Sequence, residues 1–140
     1  MARARILVVE DNERNMKLFR DVLLAAGYRT LEATTGGRAV ELATEHGPDL
    51  ALMDIQLPDF DGVEALGRLR ADERTASIPV LALTAQAMEG DRERFLAAGF
   101  DGYLSKPVNI AELVATVKHH CDGRGHIPED ERPLDEGGPI

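Results

Sequence analysis

The chain has 140 residues, of which 44% are hydrophobic and 29% charged, and its formal net charge is -9. These values are typical of one globular domain with its own core, and the excess of acid argues against nonspecific nucleic-acid binding, which needs clustered Lys and Arg. No apolar run approaches the roughly 20 residues of a membrane span, and no signal-peptide pattern precedes the first apolar run. With a single cysteine, Cys121, this predicts a protein of the reducing cytoplasm without membrane insertion.

Strand-like and helix-like segments alternate five times along the chain. Apolar runs predict buried strands at 6–9, 50–53 and 78–83, a short strand at 102–105, and a more polar edge strand at 28–33. Apolar residues at helical spacing predict helices at 13–26, from the segment 34–37 to about 46, at 62–72, from about 89 to 98, and after Asn109. The alternation predicts an α/β fold, a parallel sheet with helices on both faces, without fixing the strand order.

The helical patterns also predict which side chains face the core. In the third helix these are Val63, Leu66 and Leu69, and in the last helix they are Ile110, Leu113, Val114, Val117 and Cys121. Asn12 and Asn109 are predicted N-caps; Asp59 and Asp61 lie in a turn, where Asp61 is placed to cap the third helix.

The last 19 residues differ in composition from the rest. Residues 122–140 contain four Gly, three Pro, and six acids against two Arg. Such a segment has little apolar surface to bury. We expect a domain at 1–121 and a flexible acidic Gly/Pro-rich tail at 122–140.

Polar residues follow four of the five predicted strands: Glu10 and Asp11, then Asp54, Thr84 and Lys106. Carboxyl ends of parallel strands lie on one side of a sheet, so three carboxylates crowd together. Two charges 4 Å apart repel by about 4 kcal/mol at an effective dielectric of 20. A hard cation relieves this repulsion, and oxygen ligands without His or Cys favour Mg²⁺. A carboxylate nucleophile, a metal, an ammonium and a hydroxyl suit phosphoryl transfer to Asp54.

Four motifs identify a family at this point: ILVVEDN, DLALMDIQLPDFDG, VLALTAQA and GYLSKP. From about residue 4 to residue 121, the chain resembles the receiver domain of two-component response regulators. The segments ERNMKLF, LMDIQLP and LTAQAM make it most similar to the single-domain cell-cycle regulators of that family. The resemblance implies a doubly wound, flavodoxin-like five-stranded parallel sheet of order 2-1-3-4-5 with five helices.

The resemblance also implies roles for individual residues. Asp54 would accept a phosphoryl group from a histidine kinase or a histidine phosphotransfer protein. Asp11 and Asp54 would bind Mg²⁺ directly, with the backbone carbonyl of Gln56, and Glu10 would act through water.

Further roles concern the phosphoryl oxygens and the response to phosphorylation. Thr84 and Lys106 would bind those oxygens, and the Lys106-Pro107 peptide bond would be cis. Thr84 and Tyr103 would form the switch that reshapes the face of the fourth helix, fifth strand and fifth helix for a downstream protein target. The protein would not be a conventional enzyme, although it assists its own phosphorylation and dephosphorylation.

Alternative functions remain open on the residues. A phosphorelay intermediate or phosphate sink would pass the group back to a histidine. A haloacid-dehalogenase-like phosphatase typically needs a second acid two residues after the nucleophile, where this chain has Gln56. A flavodoxin-like electron carrier needs a phosphate-binding loop where Glu10 and Asp11 would repel phosphate. A DNA-binding regulator needs an output domain, and the tail is too short and too acidic to be one.

Overall fold

The computed structural model describes residues 4–85 and 91–122. Strands and helices alternate strictly, as the sequence predicts. None of the described helices is long and apolar enough to cross a bilayer. The elements are β1 (Arg5–Val9), α1 (Glu13–Ala25), β2 (Arg29–Ala33), α2 (Gly36–His46), β3 (Leu50–Asp54), α3 (Gly62–Ala71), β4 (Val80–Thr84), α4 (Asp91–Ala98), β5 (Gly102–Ser105) and α5 (Ile110–Asp122).

The five strands form one parallel sheet of order β2-β1-β3-β4-β5. The predicted doubly wound fold is therefore confirmed, and so is the predicted edge position of β2. β3 and β4 lie inside the sheet, and all of their residues are buried. Because every strand runs the same way, the carboxyl ends of β1, β3, β4 and β5 lie side by side along one edge.

Helices cover both faces of the sheet and enclose two apolar clusters. One cluster includes Met53, Leu66 and Phe95, and the other includes Phe19 and Leu113. Alternate residues of each strand point to opposite faces, so neighbouring strand residues enter different clusters.

Two predicted core positions are wrong. Val63 is 41% exposed, because the buried face of α3 is formed by Gly62, Ala65, Leu66 and Leu69 and Val63 lies one residue off that stripe. Ile110 is 51% exposed, because it is the first residue of α5 and precedes the stripe that the deeper turns bury.

Helix and strand ends depart from the predicted limits by one or two residues. The predicted caps are confirmed: Asn12, Asp61 and Asn109 each accept a hydrogen bond from the backbone N–H three residues on, at 2.9–3.0 Å. β4 begins at Val80 rather than at residue 78. Residue 122, predicted to begin the tail, belongs to α5, and the rest of the predicted tail lies outside the described residues. The predicted start of α4 at residue 89 also lies outside them.

Candidate phosphoacceptor and metal site

The strand ends bring the predicted site residues together. Asp54 and Thr84 are the last residues of β3 and β4, Glu10 follows β1, and Lys106 follows β5. The backbone N–H of Lys106 donates to the carbonyl of Thr84 at 2.7 Å, which fixes the start of the loop after β5 against β4. The Lys106-Pro107 peptide bond is cis, the isomer that the resemblance implies.

An ammonium lies between two buried carboxylates. Lys106 Nζ is 2.8 Å from Oδ2 of Asp54 and 2.9 Å from Oε1 of Glu10. Glu10 is 1% exposed and Asp54 5% exposed. Buried charges need such a partner, since the desolvation of an unpaired carboxylate costs several kcal/mol. Lys106, which follows β5, therefore extends past the end of β4 to pair with carboxylates that end β3 and follow β1.

The charges shift the pKa values of these groups in ways that follow from burial and pairing. Burial raises the pKa of Glu10 above its ordinary value, and the negative charge of Asp54 adds to that rise, while the ion pair with Lys106 opposes it. Burial works to lower the pKa of Lys106, but the hydrogen bond with Asp54 and the negative charges of Asp54 and Glu10 outweigh it, so the pKa is raised. Lys106 is therefore a fixed positive charge at neutral pH.

Three carboxylates converge beside this ammonium. Oxygen atoms of Glu10, Asp11 and Asp54 lie within 4.8 Å of one another. Asp11 is exposed, which leaves the cluster open to solvent on one side. Oε1 of Glu10 is buried, and its 2.9 Å contact with Lys106 Nζ is an ion pair without hydrogen-bond geometry. All potential ligand atoms of the cluster are oxygens, the cluster is open to solvent on one side, and one buried carboxylate oxygen accepts no hydrogen bond. Such a site fits a hard divalent cation such as Mg²⁺.

The backbone after β3 holds Asp54 in position. Its Oδ1 accepts a hydrogen bond from the N–H of Gln56 at 3.0 Å, and the N–H of Gly62 donates to the carbonyl of Ile55 at 2.8 Å. A Cβ added at Gly62 would lie 2.5 Å from the carbonyl oxygen of Asp54. Only glycine therefore lets the start of α3 approach the end of β3 this closely.

The two predicted switch residues lie on adjacent strands. Thr84 is buried at the end of β4. Tyr103 lies in β5, where it pairs with Ala82 of β4. Its side chain is half-buried, and its ring centroid is 5.7 Å from that of Phe95 in α4. The aromatic residue thus contacts the helix that follows Thr84 in the chain.

One contact near the site is absent from the sequence-based interpretation. Oδ1 and Oδ2 of Asp59 accept hydrogen bonds from the N–H groups of Gly36 and Gly37 at 2.8 and 2.9 Å. The sequence placed Asp59 only in a turn. The available signal was that the first turn of α2 contains no acid of its own, although an acid there is favourable.

The fold and the strand-end geometry define a receiver domain. The chain belongs to the response regulator receiver domain family, whose model matches residues 6–118. The match lies within the predicted domain 1–121, whose boundary with the tail stays a prediction. Family membership decides against the phosphatase and electron-carrier alternatives.

Within that family the chain is similar to the polar-differentiation response regulator DivK. The DivK protein of Brucella ovis is 49% identical over 115 residues, which cover 82% of this chain and 94% of that protein. The DivK protein of Brucella anthropi is 48% identical over the same shares. The predicted similarity to single-domain cell-cycle regulators is therefore confirmed.

Solved structures agree with the fold. The receiver domain of a sensor histidine kinase from Pseudomonas aeruginosa is 40% identical, has a TM-score of 0.79, and covers 86% of this chain and 99% of its own. That structure has a magnesium ion coordinated in the active site cleft. A CheY-like receiver domain from Methanospirillum hungatei is 29% identical, has a TM-score of 0.81, and covers 89% of this chain and 98% of its own.

Proposed function

We propose that the protein is a response regulator that accepts a phosphoryl group on Asp54 in a Mg²⁺-dependent reaction and signals through protein partners. The observation that carries this proposal is the position of Lys106 Nζ, 2.8 Å from a buried carboxylate at the end of β3 and beside an oxygen-only cluster. A structural ion pair alone needs neither the exposed Asp11 nor the open side of the cluster.

The proposal gives each group a role that the family resemblance implies and the convergence of the carboxylates supports. Asp11, Asp54 and the backbone carbonyl of Gln56 would bind Mg²⁺ directly, and Glu10 would act through water. When bound, the cation offsets negative charge on the carboxylates and on the transferring group. Lys106 supplies a second positive charge within 3 Å of Asp54.

The proposed reaction joins a carboxylate to phosphorus. A carboxylate oxygen of Asp54 forms the new oxygen–phosphorus bond while the bond from phosphorus to the donor's nitrogen or oxygen breaks in line with it. The donor departs with that electron pair, and the product is an acyl phosphate. Lys106 and the Thr84 hydroxyl would then donate hydrogen bonds to the phosphoryl oxygens. Both bonds would be stronger than hydrogen bonds between neutral groups, because the acceptor is charged.

Signalling requires that the acyl phosphate change a surface. Thr84 would move toward the phosphoryl group, and Tyr103 would turn inward into the space behind it. That movement would reshape the face formed by α4, β5 and α5, where a downstream protein target would bind. The proposed donor is a histidine kinase or a histidine phosphotransfer protein of the cytoplasm, and no direct role for nucleic acid is proposed.

The test is phosphoryl uptake from a small acyl phosphate, followed by intact-protein mass spectrometry. The proposal predicts one added phosphoryl group with Mg²⁺ and none with a chelator. Equal uptake with and without the metal would contradict it. The alternative role as a relay or phosphate sink predicts that the label then moves to a histidine phosphotransfer domain, which the same measurement detects.

A further inference from the structure

The loop between β3 and α3 (residues 55–61) is tied to a helix that takes no part in the proposed reaction. Its exposed tip contains Asp59, whose two oxygens accept hydrogen bonds from Gly36 and Gly37 at 2.8 and 2.9 Å. A single carboxylate thus accepts hydrogen bonds from the first two backbone N–H groups of α2. The contact therefore joins the loop that leaves the phosphoacceptor strand to the start of α2.

Asp59 completes the N-terminal cap of α2. Thr35 accepts from the N–H of Arg38 at 3.1 Å, while Asp59 accepts from Gly36 and Gly37. Three N–H groups that have no partner within the helix are thus satisfied by side chains. The hydrogen bond from Gly37 is the main cause that holds the pKa of Asp59 below its ordinary value, and the bond from Gly36 adds to it. The carboxylate is charged at neutral pH and faces the positive end of the helix dipole.

A second contact holds the same tip. A Cβ added at Gly36 would lie 2.5 Å from the ring of Phe60, so the ring packs directly on the glycine backbone. The guanidinium of Arg68 covers the ring, with its Cζ 4.2 Å from the centroid. The tip is therefore fixed by a charged contact at Asp59 and by an apolar one at Phe60.

The base of the loop carries the groups proposed for the metal. Gln56 donates its backbone N–H to Asp54, and its backbone carbonyl is a proposed metal ligand. A backbone carbonyl cannot be oriented by its own side chain, so its position depends on how the whole loop is held. Mg²⁺ requires near-ideal octahedral geometry, and a loop free at its tip would present that carbonyl less consistently.

We propose that Asp59 is a positioning residue for the magnesium site: by tying the loop to α2, it keeps the Gln56 carbonyl in place relative to Asp54. The inference rests on the proposed function, because it assigns to that site a support outside its ligands. It predicts that the Mg²⁺ affinity of the metal-free protein depends on a contact with α2.

The experiment measures Mg²⁺ affinity by NMR titration of the full chain, together with the melting temperature. Asp59→Ala should weaken Mg²⁺ binding about three- to tenfold, less than the roughly 10–100-fold that follows loss of a partner in direct contact with a ligand. Asp59→Asn should restore part of the affinity, because its amide oxygen still accepts one hydrogen bond. Gly36→Ala should weaken binding without any change of charge, because the added methyl group displaces Phe60.

Glu41→Ala is the matched control, since it removes one exposed acid from α2, the helix that Asp59 caps, and leaves the loop contacts intact. It should change Mg²⁺ affinity less than twofold. If Asp59→Ala shifted the Gly36 and Gly37 amide signals yet bound Mg²⁺ as tightly as wild type, Asp59 would be a helix cap only. If Glu41→Ala weakened Mg²⁺ binding as much as Asp59→Ala, the loss of affinity would be explained by the lost negative charge and not by the lost contact. A wild-type protein that bound no Mg²⁺ would overturn the proposed function and this inference together, whereas the other two outcomes would leave the function standing.

Discussion

Replacing Lys106 by Met should destabilise the metal-free protein far more than an ordinary ion pair would suggest. The side chain keeps much of its apolar stem, but the charge that neutralises Glu10 and Asp54 is lost. Each pair has a gross attraction of about 6 kcal/mol at its observed distance and an effective dielectric of 20. Desolvation offsets most of it, and breaking a buried pair costs about 3–5 kcal/mol net. Because Lys106 is 18% exposed, we expect the lower end, about 3 kcal/mol.

Urea unfolding at neutral pH without Mg²⁺ provides the measurement. With a slope of about 2 kcal/mol per M, the midpoint should fall by about 1.5 M. The matched control is Lys17→Met: its ammonium lies 2.6 Å from Asp21, closer than either distance at Lys106, but Lys17 is 68% exposed. An exposed pair is worth at most about 1 kcal/mol. A destabilisation by Lys106→Met of less than about 1 kcal/mol, or one no larger than that of Lys17→Met, would show that the Lys106 contacts behave as an ordinary exposed ion pair.

The pH dependence of the same variant has a defined sign. The folded-state pKa of Glu10 already lies above its ordinary 4.5, chiefly because of burial, and Lys106 opposes that rise. Without Lys106 the pKa rises further, so above pH 4.5 the folded state binds more protons than the unfolded state, and stability falls as pH increases. The loss in Lys106→Met should therefore be smaller near pH 4.5 than at pH 7.5, and an equal loss at both would exclude this cause.

Three further substitutions test other parts of the site. Asp11→Ala should weaken Mg²⁺ binding and raise the stability of the metal-free protein, because it relieves repulsion within the carboxylate cluster; unchanged affinity in a titration would exclude Asp11 as a ligand. Gly62→Ala should lower stability and slow phosphoryl uptake, because its Cβ would meet the Asp54 carbonyl oxygen at 2.5 Å; Gly67→Ala, where nothing lies within 4 Å of the added Cβ, is the control and should do neither. Thr84→Ala should accept the phosphoryl group but lose the change in partner affinity. A charge-assisted hydrogen bond contributes about 1.5–3 kcal/mol of the roughly 5.5 kcal/mol that a complete shift requires, and an equal effect of phosphorylation on partner affinity in both proteins would exclude Thr84 as the coupling residue.

Alternating local patterns made most of the fold predictable. Three apolar runs, the short segment 102–105 and the more polar 28–33 have lengths and flanking residues typical of strands, and the caps at Asn12 and Asn109 mark helix starts. The strand order came from the family resemblance, because local patterns do not encode which strands pair. The wrong positions, Val63 and Ile110, are both in the first turn of a helix. In the first turn, no preceding helical residue fixes which side of the helix faces the core, so the apolar pattern predicts burial poorly there.

The site was predictable in composition and less so in its contacts. Glu10, Asp11, Asp54, Thr84 and Lys106 were expected at one edge, since parallel strands end together. That Lys106 pairs with Glu10 as well as Asp54 depends on side-chain reach past the ends of β4 and β3, which a sequence does not specify. The contact of Asp59 with α2 joins residues more than 20 positions apart; the lack of an acid in the first turn of α2 shows that the helix could use a carboxylate but does not indicate which one.

The proposed function depends above all on transfer of the phosphoryl group to Asp54. The most direct measurement compares the intact masses of wild type and Asp54→Asn after incubation with a small acyl phosphate and Mg²⁺, with folding of both checked by circular dichroism. The amide has nearly the shape of the carboxylate but is a poor nucleophile, so the account predicts one added phosphoryl group on wild type and none on the folded variant. A folded Asp54→Asn protein that gained the same mass would contradict it.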